Sequence, residues 1–86
     1  MSRLEQKLIE LGYEKVYFTL WEKIFLNNFI IRLEVIDNKI TDRFELVNHQ
    51  NIIIKTQFEI NNLQQAFNEL QRDLEFLKEC EEDEKE

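Results

Sequence analysis

Hydrophobic residues in the last third of the chain recur with a helical period. From Thr56 to Cys80 they follow one another at intervals of three and four, which places them on one face of a helix. The stripe is shorter than the three or four heptads that indicate a coiled coil. We therefore expect the helix to pack on its own chain, with pairing against a second copy as the alternative. The stripe consists of Ile60, Leu63, Phe67, Leu70, Leu74 and Leu77.

Two capping boxes predict where helices begin. Ser2 and Glu5 have the S-x-x-E form, in which each side chain accepts the other residue's backbone N–H. A short helix is predicted over residues 3–11, ended by Gly12 in a left-handed cap. Thr56 repeats the pattern before the long helix. A start nearer Asn62 is the alternative, because asparagine is a poor helix former.

Between the helices the hydrophobic period changes to two, which is typical of strands. The clearest strand is predicted over residues 29–36, with further strands at 22–26 and 39–47 and a short fourth strand at 52–54. Residues 13–21 also alternate but are apolar on both faces, so they fit either a loop or the start of a strand.

Short polar turns separate the predicted strands. Asn27-Asn28 and Asp37-Asn38 are pairs that tolerate positive φ. In the third strand, Phe44 is predicted to point inward. Asp42 interrupts the same inward row and indicates an edge or a bulge there. The connections are too short for crossovers, so the strands are expected to form an antiparallel meander.

The predicted fold class is α+β. It has a short N-terminal helix, a three- to four-stranded antiparallel meander and a long C-terminal amphipathic helix packed on one sheet face. One domain is expected over residues 1–78. Residues 79–86 are expected to form a frayed acidic tail, because the helix dipole disfavours acids at a C-terminus.

Charge is concentrated at the C-terminal end. The chain carries a formal net charge of −7, and most of it lies in residues 79–86. The remainder is nearly neutral and has no basic stripe, so direct nucleic-acid binding is not expected. No apolar run is long enough for a membrane span, and the N-terminus lacks the apolar region of a signal peptide. With Cys80 as the single cysteine, a cytoplasmic location is expected.

Candidate catalytic groups are few. His49, the single histidine, falls in a predicted polar turn, and the acids around Cys80 make its thiol a poor nucleophile. Glu69 and Asp73 lie four residues apart on one helix face but lack the histidine of a two-metal site, so we interpret them as solvent-exposed charges. No phosphate-binding loop or nucleophile elbow is present. The chain is predicted not to be an enzyme and to need no metal or cofactor.

A single core does not account for all the aromatic residues, and exposed aromatics are enriched in binding hot spots. The acids near the C-terminus are suited to a basic groove on a partner. The candidate partner-binding residues are therefore Tyr17, Trp21, Phe76, Glu81, Glu82 and Asp83.

Two segments carry a family resemblance. LEQKLIELGY at residues 4–13 and NLQQAFN at residues 62–68 resemble uncharacterised small proteins of phages and prophages of low-GC Gram-positive bacteria. The resemblance covers the two helices and brings no activity or site residues with it. It implies a phage or mobile-element origin, and hence a host protein as partner. Small acidic phage proteins of this kind include inhibitors of host defence enzymes such as CRISPR nucleases.

Three functional hypotheses follow. The first is a non-catalytic phage or prophage protein, monomeric or homodimeric, that binds and modulates or inhibits a host protein, for example as an anti-CRISPR-like inhibitor. The second is a homo-oligomer that binds or sequesters a nucleotide, using Tyr17, Trp21, Arg32 or Arg43. A structural part of the phage particle is the third.

Overall fold

The computed structural model describes residues 2–48 and 54–84. The strands form one antiparallel sheet whose spatial order follows the sequence. A short helix and a long helix pack against it, which confirms the predicted α+β fold. The elements are α1 (Arg3–Glu10), β1 (Glu14–Lys15), β2 (Leu20–Phe25), β3 (Phe29–Ile36), β4 (Lys39–Asn48) and α2 (Gln57–Glu84).

Helix α1 begins and ends as its sequence predicts. The Glu5 N–H donates to Ser2 Oγ at 3.1 Å, and the Ser2 N–H donates to Glu5 Oε1 at 3.3 Å. Gly12 follows the helix with φ +99°, a conformation that glycine adopts without a Cβ clash. Leu4 and Leu8 are fully buried, so α1 is held by packing on the rest of the molecule.

Segment 13–21, left open by the sequence, forms a hairpin with β2. Glu14 pairs with Glu22, and Lys15 pairs with Trp21. The strand predicted from residue 22 therefore begins two residues earlier. The fourth strand of the sheet comes from this N-terminal side. Of the strand predicted at 52–54, Ile54 lies outside any strand, and the other two residues, like His49, lie outside the described residues.

The turns between strands use residues at positive φ. Asp37 and Asn38 form the predicted turn between β3 and β4, with φ of 53° and 61°. The turn between β2 and β3 is displaced by one residue from its predicted position, because Leu26 and Asn27 adopt the positive φ values. The Asn28 N–H closes this turn on the carbonyl of residue 25 at 3.3 Å.

Strand β4 carries the predicted irregularity. Leu33 pairs with Phe44, whereas Val35 pairs with Ile40. Three residues of β4, including Asp42, therefore lie opposite the single residue between Leu33 and Val35. Phe44, predicted to point inward, is exposed.

The core lies between the sheet, α1 and the C-terminal half of α2. The stripe prediction for α2 holds for Leu70 and Leu77, which are buried, but is wrong for Ile60 and Phe67, which are 46% and 47% exposed. The buried face of α2 is rotated away from the predicted one. Its buried positions are Ala66, Leu70, Asp73, Leu77 and Cys80.

The prediction of a frayed tail from residue 79 is wrong for residues 79–84. Helix α2 continues through Glu84, and Cys80 is buried in the core. The Ile40 N–H donates to Glu81 Oε1 at 2.7 Å. This contact ties the last turns of α2 to β4. No helix in the described part of the chain is long and apolar enough to cross a membrane.

Candidate functional site

Exposed hydrophobic side chains cluster where β1 turns into β2. Val16 is exposed, Tyr17 is 66% exposed and Phe18 is 82% exposed. The two rings pack edge to face, with centroids 5.2 Å apart and an interplanar angle of 61°. We call these three residues the hairpin tip. They present an apolar, largely aromatic surface to solvent.

Backbone hydrogen bonds hold the hairpin tip in place. The Val16 N–H donates to the Leu20 carbonyl at 2.9 Å, and the Leu20 N–H donates to the Tyr17 carbonyl at 3.3 Å. The Val35 N–H of β3 donates to the Thr19 carbonyl at 2.8 Å. The exposed rings therefore stand on a bonded turn, so binding through them costs less conformational entropy than ordering a free loop.

Trp21 belongs to the core, which corrects its prediction as a partner-binding residue. It is only 5% exposed, and it pairs with Leu33 across the sheet. Phe18, in contrast, is more exposed than Tyr17 and was missed. The sequence left this segment open between a loop and the start of a strand, and so gave no direction for the Phe18 side chain. The sequence signal that could have indicated an exposed Phe18 is that both faces of this segment are apolar, so that a small core cannot bury both.

The other candidate partner-binding residues do not join the hairpin tip in one site. Phe76 lies on α2 beside α1, where Lys7 Nζ is 5.4 Å from its ring centroid in a cation–π contact. Glu81 is bound to the backbone of β4. Glu82 and Asp83 fall within the last turn of α2.

A buried ionic cluster lies beneath β2, where the sequence predicted solvent-exposed charges. Asp73 is 1% exposed. Lys23 Nζ donates to Asp73 Oδ2 at 2.8 Å and to Glu69 Oε2 at 2.6 Å, and the Tyr13 hydroxyl donates to Asp73 Oδ2 at 2.9 Å. Arg72 forms a further ion pair with Glu69. Strand β2 thus brings the ammonium group of Lys23 to two carboxylates of α2, and Arg72 supplies the second positive charge.

Protonation in the cluster follows from burial and charge. Burial, together with the negative charge of Asp73, raises the pKa of Tyr13 well above its usual value, so the phenol stays a donor. Burial alone would raise the pKa of Glu69, but the hydrogen bonds and charges of Lys23 and Arg72 outweigh it and hold that pKa below its usual value. The ionised Glu69 is therefore favoured in the folded state.

The cluster uses its polar atoms internally. Within residues 2–48 and 54–84, every buried side-chain nitrogen or oxygen has a hydrogen-bond partner. The same residues contain no group of three or more His, Cys, Asp or Glu placed to hold a metal ion. We interpret the Lys23 cluster as an element that joins β2 to α2.

The outer face of the sheet gives little support to a nucleotide site. Arg32 Nε contacts Glu22 at 2.6 Å, and Arg32 Nη1 contacts Glu45 at 3.1 Å, so Arg32 is paired with an acid on each neighbouring strand. A depression beside these pairs is lined by Arg32 and Arg43 and also by Glu34 and Glu45. A phosphate there would meet carboxylates and a guanidinium that is already paired.

Comparison of the chain with protein-family models, curated proteins and solved structures returned no match. The resemblance to phage proteins therefore stays a prediction. The geometry of the hairpin tip is the structural feature that points most directly to a function.

Proposed function

We propose that this chain is a non-catalytic protein-binding module that contacts its partner through the hairpin tip. The observation that carries the proposal is the exposure of Tyr17 and Phe18 on a hydrogen-bonded turn. Moving a side chain such as Phe from water into an apolar site contributes about 1.5–3 kcal/mol. Two adjacent rings of this kind form a compact hot spot.

The chemistry of the hairpin tip indicates what the partner presents. Glu14 and Lys15 precede the tip and cancel in charge, so neither sign of charge is favoured nearby. Aromatic rings that protrude from a turn fit a concave apolar pocket. The partner is therefore a protein with a hydrophobic pocket or groove that is accessible at its surface.

The resemblance to phage proteins supports a narrower proposal. The partner would be a host protein, and the chain would modulate or inhibit it by covering its pocket, as a counter-defence protein does. The hairpin tip is a better primary contact than the C-terminal acids, since Glu81 already accepts a hydrogen bond from β4. An electrostatic contribution from Glu82 and Asp83 remains part of this proposal.

Site-specific photo-cross-linking in a Gram-positive lysate tests the proposal. Benzoylphenylalanine replaces Phe18 in one bait and Phe58 in a matched control, because Phe58 is also exposed, at 72%, but lies on α2. We expect one protein to cross-link at position 18 and not at position 58. Cross-linking of that protein at position 58 alone would contradict the proposal.

Binding to the purified partner then gives the energetics. The double variant Tyr17→Ala/Phe18→Ala should raise the Kd about 100-fold or more, since each hot-spot truncation costs roughly 2 kcal/mol. The control Phe58→Ala should leave the Kd within about threefold. An unchanged Kd for the tip variant would refute the assignment.

A further inference from the structure

We infer that a second copy of this chain docks on the N-terminal half of α2, with the two helices antiparallel about a two-fold axis. The first buried residue of α2 is Ala66. None of residues 57–65 is buried. At 1.5 Å per residue this stretch is about 13 Å long. We call residues 57–65 the projecting half of α2.

One side of the projecting half, continued by Phe67, is apolar and only partly covered. Ile60 and Phe67 are nearly half exposed, and Leu63 lies between them with intermediate exposure. The spacing of three and four residues places them on one side of the helix. That side is turned roughly 100° from the centre of the buried face. Helical stability in proteins comes mostly from packing of an apolar side, so covering this side would stabilise the end of α2.

The polar residues beside this face favour a second copy as its occupant. Over residues 57–68 the single charged side chain is Glu59, and its carboxylate already accepts from the Thr56 N–H and Oγ1 at 2.9 Å. The remaining flanking positions carry amides. They are Asn61, Asn62, Gln64, Gln65 and Asn68.

Amides are suited to a contact between identical surfaces. A two-fold interface brings the same patch of both subunits together, so each group near the axis meets its own counterpart. An amide carries both donors and an acceptor and can bond to another amide, whereas two lysines or two glutamates repel. The whole chain carries −7, so copies approach each other best through a face that carries little of that charge, and residues 57–68 contribute only Glu59.

The positions of the apolar residues set the register. Ile60 and Phe67 lie symmetrically about the midpoint between Leu63 and Gln64. With the axis at that midpoint, Ile60 faces the partner's Phe67 and Phe67 faces the partner's Ile60. This arrangement covers the exposed half of the stripe and needs no residue of the hairpin tip.

Sedimentation equilibrium on the full chain tests the association. We expect the wild type to dimerise and Ile60→Asp/Phe67→Asp to weaken dimerisation at least about 100-fold, with unchanged far-UV circular dichroism. Phe58→Asp is the control, since Phe58 is exposed on the opposite side of α2, and it should still dimerise. A wild type that stays monomeric, or a dimer disrupted equally by Phe58→Asp, would overturn the inference. If the Asp pair fails to fold, Ile60→Gln/Phe67→Gln takes its place.

Thiol cross-linking tests the register. In a Cys80→Ala background, Gln64→Cys places a thiol near the axis, and a short bifunctional reagent should join two copies. Asn61→Cys, turned away from the axis, should give little covalent dimer. The reverse pattern would contradict an axis between Leu63 and Gln64.

The association is independent of the proposed function. Tyr17→Ala/Phe18→Ala should remain dimeric, and Ile60→Asp/Phe67→Asp should still bind the partner of the hairpin tip. Loss of dimerisation in the tip variant would contradict the inference and leave the proposed function standing.

Discussion

The two halves of α2 differ in what covers them, although the same spacing of hydrophobic residues runs through both. The C-terminal half, residues 66–84, contains buried positions from Ala66 to Cys80. The projecting half has none. Helical periodicity therefore predicts a helix in both halves, but it does not predict which half lies against the core.

The difference follows from the neighbours of each half. Helix α1 packs beside the C-terminal half, where Lys7 of α1 contacts Phe76, and β4 contacts its last turns through Ile40 and Glu81. Lys23 of β2 contacts this half nearer the middle of the helix, since it binds Glu69 and Asp73. A core of this size covers only part of a 28-residue helix.

The largest expected effect comes from removing the ammonium group of the buried cluster. Lys23→Met leaves the carboxylate of Asp73 buried with only the Tyr13 hydroxyl as a partner. We expect a loss of about 3–5 kcal/mol in the free energy of unfolding, measured by urea denaturation. The C-terminal half of α2 would then lose the ion pairs that attach it to β2, which the projecting half does not have.

The control for this experiment removes both charges. Lys23→Met/Asp73→Leu should recover most of the lost stability, because an apolar pair of similar size avoids the unpaired charge. If the double variant is as unstable as Lys23→Met alone, the cost arises from packing around Lys23 and the ionic interpretation is wrong.

A pair of truncations compares the two halves directly. Leu77→Ala removes a fully buried side chain and should cost about 2–5 kcal/mol. Ile60→Ala, measured in dilute protein, should cost less than about 1 kcal/mol, since its side chain is already half exposed. Equal losses in urea denaturation would show that the two halves are covered to the same extent.

Capping should matter most to the projecting half. The Glu59 N–H donates to Thr56 Oγ1 at 3.1 Å, and Thr56→Ala should destabilise this end of the helix by about 1 kcal/mol. Native-state hydrogen exchange should show faster exchange over residues 57–65 and unchanged protection near Leu70 and Leu77. Faster exchange throughout α2 would mean that the helix opens as one unit.

The smallest expected effect is a pH dependence that arises from Glu69 in the C-terminal half. The pKa of Glu69 is lower in the folded state than its usual value of 4.5, so its stabilising contribution is present above that value and is lost as the pH falls through the folded-state pKa. Stability below pH 4.5 should therefore fall more steeply in the wild type than in Glu69→Gln. Parallel urea-denaturation profiles for the two proteins would contradict this role.

Local sequence signals predicted much of the fold. The capping boxes at Ser2 and Thr56, the left-handed Gly12 and the Asp37-Asn38 turn are confirmed. Each depends on residues close together in the chain. The bounds of β3 are confirmed for the same reason, since its alternation is clear and turns lie on both sides.

The candidate site was predicted in part. Tyr17 is exposed as expected, but Phe18 took the place that Trp21 was expected to hold. Strand alternation does not show which of these two aromatic residues is exposed, because residues 17–19 form a turn and do not follow the period of a strand. Asp73 was placed in solvent because the sequence does not show that Lys23, fifty residues earlier, lies opposite it.

The starts of the helices, the turns and the α+β class could be predicted from the amino-acid pattern, since those signals act through near neighbours. The buried side of α2, the half that projects and the aromatic residues that face solvent became known from the folded chain. Burial depends on elements that are distant in the sequence. A lysine brought from β2 makes Asp73 a stable interior residue, and without a covering element Ile60 and Phe67 stay exposed.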